Sequence, residues 1–197
     1  MGNLRSVQKG FEKVGFKAIV TSNPKEVLRC SKVVLPGVGA FKDCMKNLEN
    51  KGFIEMLNHE IIEKKKPILG ICLGMQVMAK NSTEGGFYDG LGWFDAEVIK
   101  IETKLNELKI PQIGWNNLKF DTDSFLFKNI PTSSSFYFVH SYYMHCFNPS
   151  DIMATCVYGT EITAAVQREN IVATQFHPEK SQEIGLRVLE NFISWKL

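Results

Sequence analysis

Near the start of the chain, Leu4, Val7, Phe11 and Val14 recur at helical spacing, so a helix is expected over residues 3–14 with Gly15 as its stop. The run Lys17, Ala18, Ile19, Val20 predicts a strand. Asn23 and Pro24 open a turn that leads into a short helix over 24–29. A strand over 32–35 ends in Pro36 and Gly37, and helices over 41–50 and 53–65 follow, broken near Gly52. Residues 68–71 are uninterrupted apolar chain, which reads as a buried strand feeding a helix from about Met75. Residues 81–92 are polar and glycine-containing, so a loop is expected there.

Beyond Trp93 the period of the apolar positions falls toward two. Short strands are expected over 96–101, 109–115, 136–140, 152–157 and 162–167, with another apolar strand beginning at Ile171. Few helical segments separate them, which argues for antiparallel pairing. The chain ends in a helix over 182–195, with Ile184, Leu186, Val188, Leu189, Phe192 and Ile193 on or near one face. Strand and helix alternate before Cys72, and strands dominate after it. The fold class is therefore α/β: a three-layer, open, mostly parallel sheet flanked by helices, with an antiparallel β extension. One domain over 1–197 suits the length.

Charge changes this picture little. Charged residues are 22% and the formal net charge is +2, so neither nucleic acid nor a membrane surface is called for. No apolar run reaches membrane-spanning length and no signal peptide is visible. The five cysteines, Cys30, Cys44, Cys72, Cys146 and Cys156, show neither a disulfide framework nor metal-ligand spacing. A reducing cytoplasm is the simplest fit, with no metal and no cofactor. The myristoylation-like start at Met1 and Gly2 and the glycosylation-like Asn81-Ser82-Thr83 are chance-level patterns.

Two stretches carry chemistry. Gly70-Ile71-Cys72-Leu73-Gly74 has the spacing of a strand-to-helix elbow with Cys at the nucleophile position. Small residues two before and two after let the backbone turn sharply. A helix beyond would aim its N-terminal N–H groups at the sulfur and favour thiolate. A small buried Cys in a parallel strand is the competing reading. The second stretch, Gln175-Phe176-His177-Pro178-Glu179, sets a base and an acid two residues apart at a strand's end. Pro178 stiffens the segment, and extended geometry would point both side chains one way. Cys72, His177 and Glu179 together are a candidate nucleophile, base and orienting acid. His140 also ends an apolar strand, but His177 alone has an acid so placed. The loop Pro36-Gly37-Val38-Gly39 lies at a strand's C-terminal end, where open α/β sheets bind ligands, and its N–H groups could serve an oxyanion; a plain tight turn is equally compatible.

These two stretches together resemble the class I (triad) glutamine amidotransferases. The segments 35–41 and 138–143, with 2–7 at the start, resemble more narrowly the glutaminase subunits of imidazole glycerol phosphate synthase. The resemblance implies hydrolysis of L-glutamine by Cys72, His177 and Glu179. It implies an oxyanion met by the Gly37–Val38 peptide and by the N–H of Leu73. Gly39, Gln76, Glu84, Ser141 and Tyr142 would line the glutamine pocket. It also implies a heterodimer partner, a (β/α)₈ synthase subunit that receives the ammonia for imidazole glycerol phosphate formation in histidine biosynthesis. Lys180, Ser181 and Gln182 are candidates to face that partner. Relatives carry an apolar strand before the segment matching Met1, so a sheet lacking its first strand is expected here. Two other readings stand: a paralogue feeding ammonia to a surface-sugar or nucleotide precursor, and a catalytically inert partner-binding subunit.

Overall fold

A computed structural model describes residues 4–103 and 108–196. Residues 1–3, where the first helix is expected to begin and the myristoylation-like pattern starts, lie outside it. The first half holds helices α1 (Leu4–Lys13) and α2 (Pro24–Val27), strand β1 (Val33–Gly37), helices α3 (Phe41–Asn50) and α4 (Phe53–Leu57), strand β2 (Ile68–Cys72) and the short helix α5 (Leu73–Gln76). Strands β3 (Ala79–Ser82), β4 (Tyr88–Asp89), β5 (Phe94–Lys100), β6 (Gln112–Asn117) and β7 (Lys119–Phe120) follow. Then come β8 (Ser135–His140), β9 (Tyr142–Cys146), β10 (Ile152–Tyr158), β11 (Thr160–Arg168), β12 (Ile171–Thr174) and the closing helix α6 (Gln182–Ser194).

The main sheet runs β1-β2-β12-β11-β10-β7. Within this sheet β1, β2 and β12 pair in parallel, and the antiparallel extension begins at β11. A smaller sheet, β4-β3-β5-β9, and a separate β6-β8 pair complete the β structure. β2 is buried along its whole length, as an apolar strand with both faces covered must be. Its residues alternate between two cores. Leu69 and Ile71 join Val7 and Phe11 of α1 and Val188, Leu189 and Phe192 of α6 on one face. Ile68 joins Phe41 and Leu48 of α3, Leu57 of α4 and Ile61 on the other. That is the three-layer arrangement the alternation implied.

Register places the strand ends. Gly37 of β1 stands opposite Cys72 of β2, and Thr174 of β12 opposite Ile71. The residues after each strand therefore emerge at one rim. The turn after β2 is tight because glycines permit it. A Cβ on Gly74 would meet the Leu35 carbonyl oxygen at 1.7 Å, and one on Gly70 would meet Met78 Cε at 2.8 Å.

Several expectations are corrected. Residues 17–20 form no strand: no edge pairs with them among the described residues, and Ile19 stands 65% exposed. The 81–92 stretch is not simply a loop, because β3 and β4 pair around its turn. The helix over 53–65 changes to a π-helical turn at Asn58–Glu63. That turn carries Glu60 inward, 2% exposed, between Lys64 and Lys66. Lys64 and Lys65 stay 55% and 53% exposed and only Lys66, at 12%, is drawn in; hydrogen bonds from Lys64 and Lys66 hold the Glu60 carboxyl down to about 2. Finally, α5 spans only Leu73–Gln76, so its dipole is a single turn's worth rather than a full helix's.

Gly74→Ala drives a methyl group into the β1 backbone. We expect a loss of about 3 kcal/mol or more, read as a lowered thermal midpoint, with the damage confined to neither strand alone.

Candidate active site

Cys72 ends β2 with φ 55° and ψ −112°, a conformation that a side chain rarely adopts. Holding it costs about 1–3 kcal/mol, which the surrounding packing must offset. The buried strand before it and the Gly74 contact after it supply that constraint. The sulfur is turned out of the sheet at the rim where β1 and β12 also end.

β12 delivers the second component. Beyond Thr174, Phe176 is fully buried against Phe136, their ring centres 4.4 Å apart, and this anchors the residues on either side. His177 follows with φ −99°, ψ 96°, as a residue before proline prefers. Pro178–Lys180 is one turn of 3₁₀ helix. The acid is therefore brought beside the ring by a tight turn, not by the extended period of two expected for this segment. His177 Nδ1 lies 2.8 Å from Glu179 Oε1. The two side chains are 2% and 0% exposed. Cys72 lies close enough to the ring to raise its pKa. The thiol, the imidazole and the carboxylate thus meet, although 105 positions separate the first two in sequence (177 − 72).

The surroundings hold this cluster from behind. A Cβ on Gly10 would lie 2.8 Å from Leu189 Cδ1 and 3.6 Å from Glu179 Cβ, so a glycine lets α1 close over the acid. Ser181 Oγ donates to the His177 carbonyl at 2.7 Å and accepts from the Tyr137 N–H at 3.0 Å. Ser181 is 1% exposed and does not face outward, unlike Lys180 and Gln182. Burial by itself lowers the His177 pKa. The hydrogen bonds and charges of Cys72 and Glu179 outweigh it and raise the ring from 6.5 to about 9. His140 is the opposite case: burial, with a smaller push from His177, lowers it to about 4, against a raising bond from the Tyr142 carbonyl. It is a much weaker base than His177.

The remaining candidates spread around this centre. Gly37 faces Cys72 across the β1–β2 register, Val38 is 45% exposed, and Gly39 takes φ 99°. A Cβ on Gly37 would lie 2.9 Å from Gly74 N and from Leu73 Cβ, so this loop packs directly on the elbow. Glu84 is not a solvated loop acid: Phe41 N–H donates to its Oε2 at 2.8 Å, which caps α3 where Ala40 offers no side chain. Ser141 lies at the bend between β8 and β9. Gln76 is 5% exposed; its Nε2 donates to the Tyr142 carbonyl at 2.7 Å and to Gln175 Oε1 at 2.9 Å. Gln175 Nε2 in turn lies 3.7 Å from Cys72 Sγ. Gln175 was not singled out from sequence, although it stands two residues before His177 on the same strand end. Among the described residues no cluster of His, Cys, Asp and Glu could hold a metal ion, and no helix is long and apolar enough to cross a membrane.

The raised His177 pKa fixes a pH window. A ring held above its unfolded value stabilises the fold fully below pH about 6.5 and loses that contribution as pH climbs to about 9. Thermal midpoints measured from pH 6 to pH 9.5 will fall more steeply for the wild type than for His177→Asn, which cannot titrate.

Residues 2–195 match the glutamine amidotransferase class-I family. The chain is 52% identical, over 98% of its length and 93% of the relative's, to a protein of Geobacter sulfurreducens named imidazole glycerol phosphate synthase subunit HisH. It is 50% identical, over 98% of its length and 94% of the relative's, to imidazole glycerol phosphate synthase subunit HisH 1 of Campylobacter jejuni. The fold also matches a crystal structure of a glutamine amidotransferase from Thermotoga maritima, with a TM-score of 0.64 at 20% identity, covering 98% of this chain and 90% of that one. A Cys elbow, a His with a buried Glu, and a family match along nearly the whole chain agree: the chain belongs to the class I glutamine amidotransferases.

Proposed function

We propose that this chain is the glutamine-hydrolysing subunit of an imidazole glycerol phosphate synthase. One observation carries the reading: Cys72 lies beside His177 and raises its pKa, and the Nδ1 of that ring is held by the buried Glu179 carboxylate. L-Glutamine sits with its side-chain amide over Cys72. With its raised pKa, His177 already holds the proton given up by the thiol, and sulfur bonds to the amide carbon as the carbonyl electron pair moves to oxygen. The N–H of Leu73 and the Gly37–Val38 loop face that oxyanion. One well-placed donor there is worth about 3 kcal/mol. With Nδ1 bound to Glu179, the other ring nitrogen returns the proton to the amide nitrogen. The C–N bond then breaks and ammonia leaves. Water gives a proton to His177 and adds to the thioester carbon. The C–S bond breaks as the carbonyl re-forms, His177 gives its proton to the departing sulfur, and glutamate leaves.

Substrate recognition falls to Gly39, Gln76, Glu84, Ser141 and Tyr142 in this reading. Glu84 then serves twice, since one carboxylate oxygen already caps α3. Ammonia protonates readily in bulk water, so the product needs a receiver docked over the rim. A (β/α)₈ synthase subunit that forms imidazole glycerol phosphate in histidine biosynthesis is the partner proposed. The relatives at 52% and 50% identity are named as subunits of such a synthase. The surface beside the triad supports a docking face. Ile113 and Trp115 of β6 are 63% and 48% exposed, and pair in register with Val139 and Tyr137 of β8. The His177 N–H donates to the Tyr137 carbonyl at 2.9 Å, so this apolar face abuts the site. The five free cysteines suit a reducing compartment, and the cytoplasm is the location proposed.

Cys72→Ala is expected to remove glutamine-dependent synthesis by roughly 10⁴-fold or more, while the complex still turns over with added ammonium. Retained glutaminase activity would take Cys72 out of the role. A glutamine-analogue electrophile will label Cys72 and leave Cys44, Cys146 and Cys156 untouched, because burial pushes those thiols up to about 11, 12 and 12. Peptide mass spectrometry after labelling reads this directly.

A further inference from the structure

The nucleophile has a second polar neighbour besides His177, and its orientation follows from a backbone atom. A side-chain amide has a donor end and an acceptor end, and its partners decide which end faces where. The Tyr142 carbonyl can only accept. It takes one hydrogen bond from Gln76 Nε2 at 2.7 Å and another from His140 Nδ1 at 2.9 Å. Gln76 must therefore present its nitrogen on that side. The second hydrogen of the same nitrogen points at Gln175, 2.9 Å away, so the facing atom of Gln175 must be its oxygen. That leaves the Gln175 nitrogen directed at Cys72 Sγ, 3.7 Å away. Gln175 is fully buried and Gln76 is 5% exposed, so water does not compete for these bonds.

We propose that Gln175 is a built-in donor to the Cys72 sulfur, with its polarity set through Gln76 by the Tyr142 carbonyl, and that it stabilises the thiolate form of the nucleophile. The relay matters for charge. An N–H directed at a thiolate is a charge-assisted bond and favours the ionised state; an oxygen in the same place would repel it. The other titratable groups around this sulfur are His177, with Glu179 behind it, and His140 from β8, whose charge would bear on His177. β1 brings none between Val33 and Gly37. Gln76 acts through Gln175 and is a positioning residue. In the glutaminase reading Gln175 touches the reacting atom itself.

This inference rests on that reading for its catalytic meaning, but its test needs no glutamine. Cys72 is alkylated with iodoacetamide across pH, and the rate at the Cys72 peptide is followed by mass spectrometry. Gln175→Glu keeps the shape of the side chain and still accepts from Gln76, while setting a carboxylate oxygen against the sulfur. We expect its alkylation profile to move about one pH unit or more toward alkaline pH. Gln175→Leu will move it the same way by a smaller amount. In the complex, kcat for glutamine is expected to fall roughly 10-fold or more with KM little changed, as for an interaction with the nucleophile rather than with bound substrate. A wild-type measurement backs the variants: the ¹⁵N resonance of the Gln175 side-chain amide will shift as Cys72 titrates. An alkylation profile for folded Gln175→Glu that superimposes on the wild type, or an amide resonance indifferent to that titration, overturns the proposal. A wild-type complex that lacks glutaminase activity while the Gln175→Glu shift persists would instead overturn the functional reading alone.

Discussion

Parallel pairing of β2 with β1 and β12 is the constraint from which the site follows. The register leaves Gly37 opposite Cys72 and Thr174 opposite Ile71, so three separate loops leave the sheet at one level. The positive φ of Cys72 persists because its neighbours cannot move. Behind it is a strand buried on both faces, and ahead of it Gly74 lies against the Leu35 carbonyl. The geometry of Cys72 is therefore a property of sheet packing more than of the five-residue elbow.

Electrostatics then act inside a dry volume. An unpaired carboxylate with no exposed side-chain surface would be costly, and Glu179 is instead matched to the His177 ring. The same pairing that compensates the acid keeps the ring above its usual pKa. His140, a few residues from the site along β8, shows what burial does without such a carboxylate: its pKa drops. Burial prevails at His140 and the charged partners prevail at His177, so the two rings are driven in opposite directions.

The local features were the legible ones. The Cys elbow and the His-Pro-Glu run are short, and glycine and proline carry their geometry in the backbone; the alternation of strands and helices gave the layer order. What escaped depends on distant partners. The 17–20 run has strand-like composition but lacks a pairing edge among the described residues. The burial of Lys66 has no local signal, because nothing nearby in sequence shows that a π-helical turn brings Glu60 inward to meet it. Glu84 caps a helix that begins 43 positions earlier, and Gln175 reaches a sulfur 103 positions away. No periodicity records such bonds.

The close fit of α1 at Gly10 has one more effect. With a helix laid over it, the Glu179 carboxylate has no surface open to dissolved ions. Mobile salt screens charges that it can surround, and fades as an influence on those sealed within protein. The attraction that orients the imidazole is accordingly insulated from the ionic strength outside. Salt can therefore act on the exposed charges of this enzyme far more than on the buried His177–Glu179 pair.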